Sequence, residues 1–326
     1  MNRKRLIVIA AFIILTFLSL EIGAMSDVGI SSLFVGGEQQ EINRLVFVHS
    51  RIPRTVAIIL AAASLSVAGL IMQAISRNKF MSPTTAGTTD AAALGLLISF
   101  IFLGSQPGIV QALFSFVFAL VGTLVFTMVI NRLKIREVVY IPLLGMMYGG
   151  VIGAVSTAIA FRFDAMQVLT TYSLASFARL GIFTMVYIVI VPLIVSVIFA
   201  TKFSIIGLGA DFAKNLGLNY NRVVAVGLII IALISASTFV AVGPLPFIGL
   251  IIPNMATSFY GDNLKKSIFD LMLFGAVFVL FCDIVSRLVM FPGEMNISLT
   301  ISVLGGAIFM VYLIRGMSSG RRRKTA

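Results

Sequence analysis

The chain has 326 residues, of which 59% are hydrophobic and only 11% charged, and its mean hydropathy is +1.09. Soluble domains carry about 25% charged residues, so this composition excludes a sizeable soluble domain and indicates a membrane protein with many spans. The net charge of +12 is carried by short loops between apolar segments, which favours membrane topology over a nucleic-acid partner. A single cysteine, Cys282, and a single histidine, His49, exclude an intrachain disulfide and argue against a metal site.

Ten apolar segments follow one another along the chain, and most of them reach the ~20 residues that a transmembrane helix needs. Alternating polar and apolar residues, the mark of a β-barrel, are missing. We therefore predict an all-α, polytopic membrane protein that forms one domain over residues 1–326. The predicted spans are 6–24, 55–76, 86–103, 109–130, 138–161, 180–200, 223–242, 246–260, 267–291 and 296–314.

The first segment follows the basic stretch MNRKR and is longer than the apolar region of a signal peptide, so a retained span is favoured. Both chain termini are then expected in the cytoplasm, where 18 of the 24 Lys and Arg residues also fall. Omitting the short segment with Pro253 would move the basic C-terminal tail outside. The same topology places Arg51, Arg54 and Arg287 on the outer face, against the general bias.

The connection RNKFMSPTTAGTTDAAALG, between the second and third predicted spans, is rich in threonine and interrupted by Pro83 and Gly87. Threonine hydroxyls can satisfy backbone groups that are freed near a helix break. An ionisable group inside a span usually faces a cavity or a partner. Two interpretations remain open, a gate or pathway lining at the cytoplasmic mouth and a helix cap with an acidic first turn. The candidate residues are Thr84, Thr85, Thr88, Thr89 and Asp90.

Glycines at four-residue spacing mark one face of the fifth span, in GMMYGGVIG, and a glycine pair occurs in LGGA of the last span. Small residues allow close approach of helices in a membrane. Packing within the chain, a dimer interface and a pathway wall are all compatible with this pattern. The candidate packing residues are Gly145, Gly149, Gly153, Gly305 and Gly306.

The longest predicted cytoplasmic loop, 202–222, contains apolar residues among its charges, and ADFAKNLG within it is typical of a short amphipathic helix. Gly217 suits a left-handed C-terminal cap of that helix. An exposed apolar helix at this position is expected to be covered by the bilayer surface or by a partner protein.

Asp283 and Arg287 stand four residues apart near the outer end of the ninth span, in the favourable acid-first order. They form either a local salt bridge or a pair in which Asp283 orients an outward-facing Arg287. A phosphate-binding G-x-x-x-x-G-K-[ST] loop, a Ser-His-Asp set and H-E-x-x-H are all missing from the sequence, so we expect no catalytic residues and no enzyme. A transporter driven by an ion gradient would need acidic or histidine relays inside the membrane. Such residues are few here, and the two candidates, Asp90 and Asp283, lie near helix ends, so this class of transporter is disfavoured.

Several blocks of the sequence resemble the FecCD-type permeases, the membrane subunits of bacterial ABC importers for iron siderophores, haem and cobalamin. These blocks are RIPRTVAIILAAASLSVAGLIMQAISRNKFMSPTTAG, LGADFAKNLGLNYNRV, VGPLPFIGLIIPN, DIVSRL and GEMNISLTISVLGGAIFMVYL. They run in order from about residue 51 to 314. The chain departs from the family pattern at Ala210, Asn254 and Thr257, and at Met295 or Asn296.

This resemblance implies a ten-helix permease subunit in the bacterial cytoplasmic membrane, with a ferric siderophore as cargo and haem or cobalamin as the alternative. It implies a second permease subunit, identical or related, two cytoplasmic ATPase subunits that hold ATP and magnesium, and an extracytoplasmic substrate-binding protein. Arg51, Arg54 and Arg287 match positions that dock the binding protein as exposed cations. The ATPase-coupling segment would comprise Gly209, Asp211, Ala213, Leu216 and Gly217.

Overall fold

A computed structural model of the protein describes residues 3–23, 29, 38–104, 108–133, 140–177, 187–260, 264–291 and 293–324. Within these ranges all regular secondary structure is helical, and helices occupy each of the ten apolar segments, which confirms the all-α prediction. The first helices are α1 (Arg3–Glu21), α2 (Glu38–Val46), a π-helical turn (Phe47–Arg51), α3 (Ile52–Ser76), α4 (Thr88–Leu103), α5 (Gly108–Leu133) and α6 (Tyr140–Arg162).

The second half of the chain continues the same pattern, with long apolar helices joined by short connections. Its helices are α7 (Met166–Ser173), α8 (Ile190–Ile206), α9 (Ala210–Asn215), α10 (Tyr220–Val242), α11 (Ile248–Tyr260), α12 (Leu264–Val289) and α13 (Ile297–Lys324). Five helical stretches in the described residues are long and apolar enough to cross a membrane, and four more apolar helices are shorter. The chain is therefore a multi-span membrane protein.

Helix α3 forms the centre of the bundle, where it packs against α8, α10, α11 and α12. Small residues dominate its buried surface, and they allow the neighbouring helices to approach closely. The tightest crossing joins Gly69 of α3 to Gly249 of α11, where a Cβ atom on Gly69 would meet the backbone of Gly249. Glycine is thus required at position 69, and a Cβ on Gly249 would also be tight against its neighbours.

One ion pair and one hydrogen bond between α1 and α12 define the two ends of the bundle. Arg5 pairs with Asp270 at 2.7 Å, and Arg287 bonds to the carbonyl oxygen of Ser19 at 3.1 Å, so α1 and α12 run parallel. The end that carries Arg51 and Arg287 is called the Arg51 end below. The opposite end, where α3 finishes at Arg77, is called the Arg77 end.

Between α3 and α4 the chain turns back into the bundle. Arg77 ends α3 in a left-handed conformation and is exposed, whereas Asn78, Met81 and Ser82 are buried. Pro83 then reaches the Gly69–Gly249 crossing, because the Pro83 ring lies against Gly249. Residues 77–87 are called the re-entrant segment.

Helix α4 consequently starts midway along its neighbours. The hydroxyl of Thr88 lies 2.8 Å from that of Thr123, which is about 15 Å from the end of α5 at a rise of 1.5 Å per residue. Asp90 lies against Gly149, about 13 Å along α6 from Tyr140. Thr88 and Asp90 therefore lie at middle depth of the bundle, and not at the cytoplasmic mouth that the sequence pattern predicts.

Several local differences from the predicted spans have clear causes. The residues around His49, which lie before the predicted span 55–76, form the π-helical turn, and this turn joins α2 to α3 in one continuous helix. Helix α7 lies in a connection for which no helix was expected, because it is short and only weakly apolar. Helix α8 continues to Ile206, so Lys202 is helical and its ammonium group lies over the ring of Phe199.

Candidate functional site

A buried group of charged side chains occupies the Arg51 end, and Asp283 lies at its centre. The carboxylate of Asp283 accepts a hydrogen bond from Arg54 at 2.8 Å and a second from Arg287. Arg54 also donates to Glu294 at 2.6 and 2.8 Å. Two guanidinium groups and two carboxylates therefore balance one another, and these four residues are called the charge cluster.

Arginine side chains also close the C-terminal end of α1. Arg51 donates to the carbonyl oxygen of Leu20 at 2.7 Å and to that of Glu21. Arg287 donates to the carbonyl and hydroxyl oxygens of Ser19 at 3.1 and 2.9 Å. The last carbonyls of a helix lack partners within the helix and attract positive charge, so these arginines fasten α1 to the bundle.

The prediction that these arginines are exposed cations is wrong. Arg51, Arg54 and Arg287 retain only 6%, 9% and 4% exposure, because Asp283, Glu294 and the end of α1 surround them. The local salt-bridge interpretation of Asp283 and Arg287 is confirmed. Their role in docking a binding protein stays a prediction.

Glu294 is the member of the charge cluster that sequence reasoning missed. It lies in the connection before α13, far along the chain from Arg54. Charge balance is the signal in the sequence that could have found Glu294. Three arginines are expected on the outer face, and the single carboxylate of Asp283 cannot neutralise all of them. The side chain of Glu294 is 29% exposed, so it is the accessible edge of the cluster.

The threonine-rich candidates divide into structural and cavity-lining residues. The backbone N–H of Ser82 donates to the hydroxyl of Thr85 at 2.8 Å, and the hydroxyls of Thr84 and Ser82 lie 2.9 Å apart. These bonds satisfy groups of the re-entrant segment, as predicted for hydroxyls near a helix break. Thr88 joins α4 to α5, whereas Thr89 and Asp90 line a cavity of about 300 Å³ between α4, α6 and α7.

The predicted packing glycines have different surroundings. A Cβ atom on Gly145 would meet the carbonyl oxygen of Thr85, and one on Gly149 would meet the carboxylate of Asp90, so both positions pack within the chain. Gly153 lines the cavity and has no atom within 4 Å of the position of a Cβ. In α13, Gly305 packs against Ile251 and Phe247, while Gly306 faces open space.

The predicted amphipathic helix in the loop 202–222 is α9, at the Arg77 end. Gly209 precedes it, and the Cβ position of Gly209 lies 3.4 Å from the guanidinium of Arg77. Gly217 has a φ of +75°, and Leu218 N–H donates to the carbonyl oxygen of Ala213 at 3.0 Å. The predicted left-handed cap is therefore confirmed.

Helix α9 presents one buried and two strongly exposed apolar side chains. Ala213 is fully buried and holds the helix against the bundle, and Asp211 lies in its exposed first turn. Phe212 is 50% exposed and Leu216 is 56% exposed. These two side chains form an apolar knob at the Arg77 end. No group of three or more His, Cys, Asp or Glu residues in the described part of the chain is arranged to hold a metal ion.

Comparison with known proteins places this all-α membrane chain among transport permeases. The FecCD transport family model matches residues 11–315. The petrobactin import system permease protein YclN of Bacillus subtilis is 42% identical, over 88% of this chain and 94% of its own length. The ferric-anguibactin transport system permease protein FatD of Vibrio anguillarum is 34% identical, over 88% of this chain and 95% of its own length.

The fold also matches a solved structure, an inward-facing conformation of a metal-chelate type ABC transporter. Its TM-score is 0.76 at 19% identity, with coverage of 95% of this chain and 98% of the other. This likeness shows a shared fold. The match of the family model to residues 11–315, together with the 42% identity to a petrobactin import permease, shows that the chain belongs to the FecCD transport family.

Replacing Asp283 by Asn tests the charge cluster. The change leaves Arg54 and Arg287 buried with less compensating charge, so the free energy of unfolding should fall by about 3–5 kcal/mol, as it does when one partner of a buried ion pair is removed. Glu294→Gln should cost less because Glu294 is partly exposed. The measurement is thermal unfolding of each purified variant in the same detergent. Equal melting temperatures for wild type and Asp283→Asn would contradict the structural role.

Proposed function

We propose that this chain is the transmembrane permease subunit of an ABC importer, and that it moves a ferric siderophore across the bacterial cytoplasmic membrane by ATP-driven alternating access. The observation that carries the proposal is the 42% identity to a petrobactin import permease along nearly the whole of both chains. The relation to a ferric-anguibactin permease supports the same class of cargo. On this proposal the chain is a transporter and not an enzyme, and ATP with magnesium is held by separate subunits.

The orientation that fits the loop charges puts the Arg77 end in the cytoplasm. The basic residues at the start of α1, in the turn after α3 and in the loop around α9 would then face inward, as the positive-inside rule requires. Both termini would be cytoplasmic. The Arg51 end would face outward, toward the side from which the cargo arrives.

Two cytoplasmic ATPase subunits would engage one copy of α9 in each of two permease subunits. The apolar knob of Phe212 and Leu216 supports this, since exposed apolar side chains on a short capped helix suit a pocket in a partner. Asp211 and the glycines Gly209 and Gly217, which both have positive φ, would set the shape of the loop. The second permease subunit, identical or related, would pack on exposed faces that include Gly306.

A substrate-binding protein would dock at the Arg51 end. The guanidinium of Arg54 already bonds to Glu294, so an acidic side chain of the partner would reach Arg54 by displacing Glu294. The exposed edge of Glu294 makes that exchange sterically open. Arg51 and Arg287 would then act mainly by holding α1 in place beneath the docking surface.

Reconstitution tests the proposed function directly. The permease, its ATPase and its binding protein are placed in liposomes, and uptake of ferric catecholate siderophores, ferric citrate, haem and cobalamin is measured with and without ATP. We expect ATP-dependent uptake of at least one ferric siderophore and none with an ATPase that cannot hydrolyse ATP. Uptake that persists without the ATPase would refute an ABC importer, and uptake of cobalamin or haem alone would refute the siderophore as cargo.

The apolar knob gives a second test. Phe212→Ser with Leu216→Ser should abolish co-purification of the ATPase and ATP-dependent uptake, because the partner pocket would lose its two anchors. Phe163→Ser is the matched control, since it also removes an exposed apolar side chain but lies between α6 and α7. Retention of a stoichiometric ATPase by the double variant would rule out this docking site.

Docking of the binding protein is tested on Glu294, because charge reversal of the buried arginines would also disrupt the bundle. If partner carboxylates displace Glu294, then Glu294→Gln should strengthen binding about twofold to fivefold, the range of a partly exposed ion pair. Asp164→Asn removes the same charge from the turn after α6 and should change binding less. The measurement is surface-immobilised binding at two salt concentrations, and weaker docking of Glu294→Gln would exclude the exchange.

A further inference from the structure

The cavity between α4, α6 and α7 has a distinctive position and shape. Its floor is Asp90, which lies in the first turn of α4 opposite the middle of α6. Its upper wall is formed by Tyr172 of α7 and by Pro244, which follows α10. It extends from middle depth toward the Arg51 end. Its volume of about 300 Å³ is at the lower limit of small-molecule sites. Thr157 and Ser173 are exposed, so the cavity opens between α6 and α7.

The hydroxyl groups of the cavity present acceptors. Ser156 donates its proton to the carbonyl oxygen of Ile152 at 2.9 Å, and Thr157 donates to that of Gly153 at 2.9 Å. Ser173 donates to the carbonyl oxygen of Leu169 at 2.6 Å. A serine or threonine that bonds back to its own helix in this way keeps only its oxygen lone pairs for a ligand. The polar wall therefore favours a ligand that donates hydrogen bonds.

The charge of the cavity also favours a ligand that donates hydrogen bonds, and in particular a cation. Asp90 is its acidic residue, and no arginine, lysine or histidine is present among the described residues that line it. A carboxylate at middle depth in a membrane protein is costly without a cation. The ring of Tyr172, packed 5.9 Å from that of Phe100, adds an aromatic surface of the kind that attracts organic cations.

We propose that this cavity binds a protonated aliphatic amine carried by the transported chelate. A small inorganic cation is a poorer occupant, since such ions need six or more oxygen ligands at fixed distances. Leu96, Leu97 and Phe239 supply an apolar wall for the carbon chain that bears the amine. The proposal rests on the proposed function for its cargo, and the chemistry of the cavity stands independently of it.

The cavity is tested first with spermidine as the probe. The complete complex in nanodiscs carries Val168→Cys, which lines the cavity, while the native Cys282 is buried and gives a low background. Spermidine should slow alkylation of the new cysteine, and fully acetylated spermidine should not. Asp90→Asn should raise the protective concentration about tenfold or more, since an ionic hydrogen-bond partner is lost.

Matched variants separate this effect from misfolding. Asp164→Asn removes an exposed carboxylate and should leave protection unchanged, and Asp90→Glu, which keeps the charge, should retain part of it. Tyr172→Leu should weaken protection, whereas Tyr172→Phe should preserve it. Equal protection in wild type and Asp90→Asn, or no protection in wild type, would overturn the amine site whether or not the complex transports iron.

Uptake then tests the link to cargo. The probes are the ferric complex of a bis-catecholate built on spermidine, with its central amine free, and the same chelate with that amine acetylated. Wild type should favour the free amine, in uptake or in inhibition of uptake, and Asp90→Asn should reduce that preference about tenfold. An unchanged preference would overturn the assignment to cargo even if spermidine protects the cavity. Absence of uptake for every ferric chelate would instead refute the proposed function.

Discussion

The interior of a bilayer supplies no water to backbone N–H and C=O groups, so a break in a helix at that depth must find its hydrogen bonds within the protein. The re-entrant segment meets this demand with few side chains. Asn254 donates to the carbonyl oxygen of Lys79 at 2.7 Å, and Asn78 accepts from the N–H of Phe80 at 2.9 Å. Because these bonds hold the segment inside the bundle, α4 begins at middle depth and carries Asp90 there.

The positions and order of the apolar helices in the described residues could be predicted from the sequence, because each depends mainly on the composition of its own segment. The left-handed cap at Gly217 could be predicted for the same reason, since it depends only on the glycine and on the short helix before it. The depth of Asp90 was not predictable in this way, since it is set by the contact of Pro83 with Gly249, on a helix far along the chain. The burial of Arg54 likewise depends on Glu294, which is far away in the sequence. The residues next to Arg54 in the chain therefore do not reveal this partner.

In the proposed orientation three arginines face outward, against the positive-inside rule, and contacts within the chain explain why they are kept there. Arg51 and Arg287 satisfy carbonyl groups at the end of α1, and Arg287 and Arg54 together neutralise Asp283. Loss of one arginine would therefore free α1 or leave Asp283 uncompensated. A docking role can be added to this arrangement only at its exposed edge, which is why the proposed exchange involves Glu294 and not the buried side chains.

The charge cluster and the cavity are opposite solutions for polar groups in one bundle. In the cluster, Arg54, Arg287, Asp283 and Glu294 compensate one another, so their charges are balanced within the chain. In the cavity, Asp90 faces hydroxyl oxygens and apolar walls, and the described lining holds no cation. A half-buried carboxylate at this depth is costly unless a cation or a hydrogen-bond donor accompanies it. The cavity is therefore the part of the bundle whose chemistry is completed by a ligand.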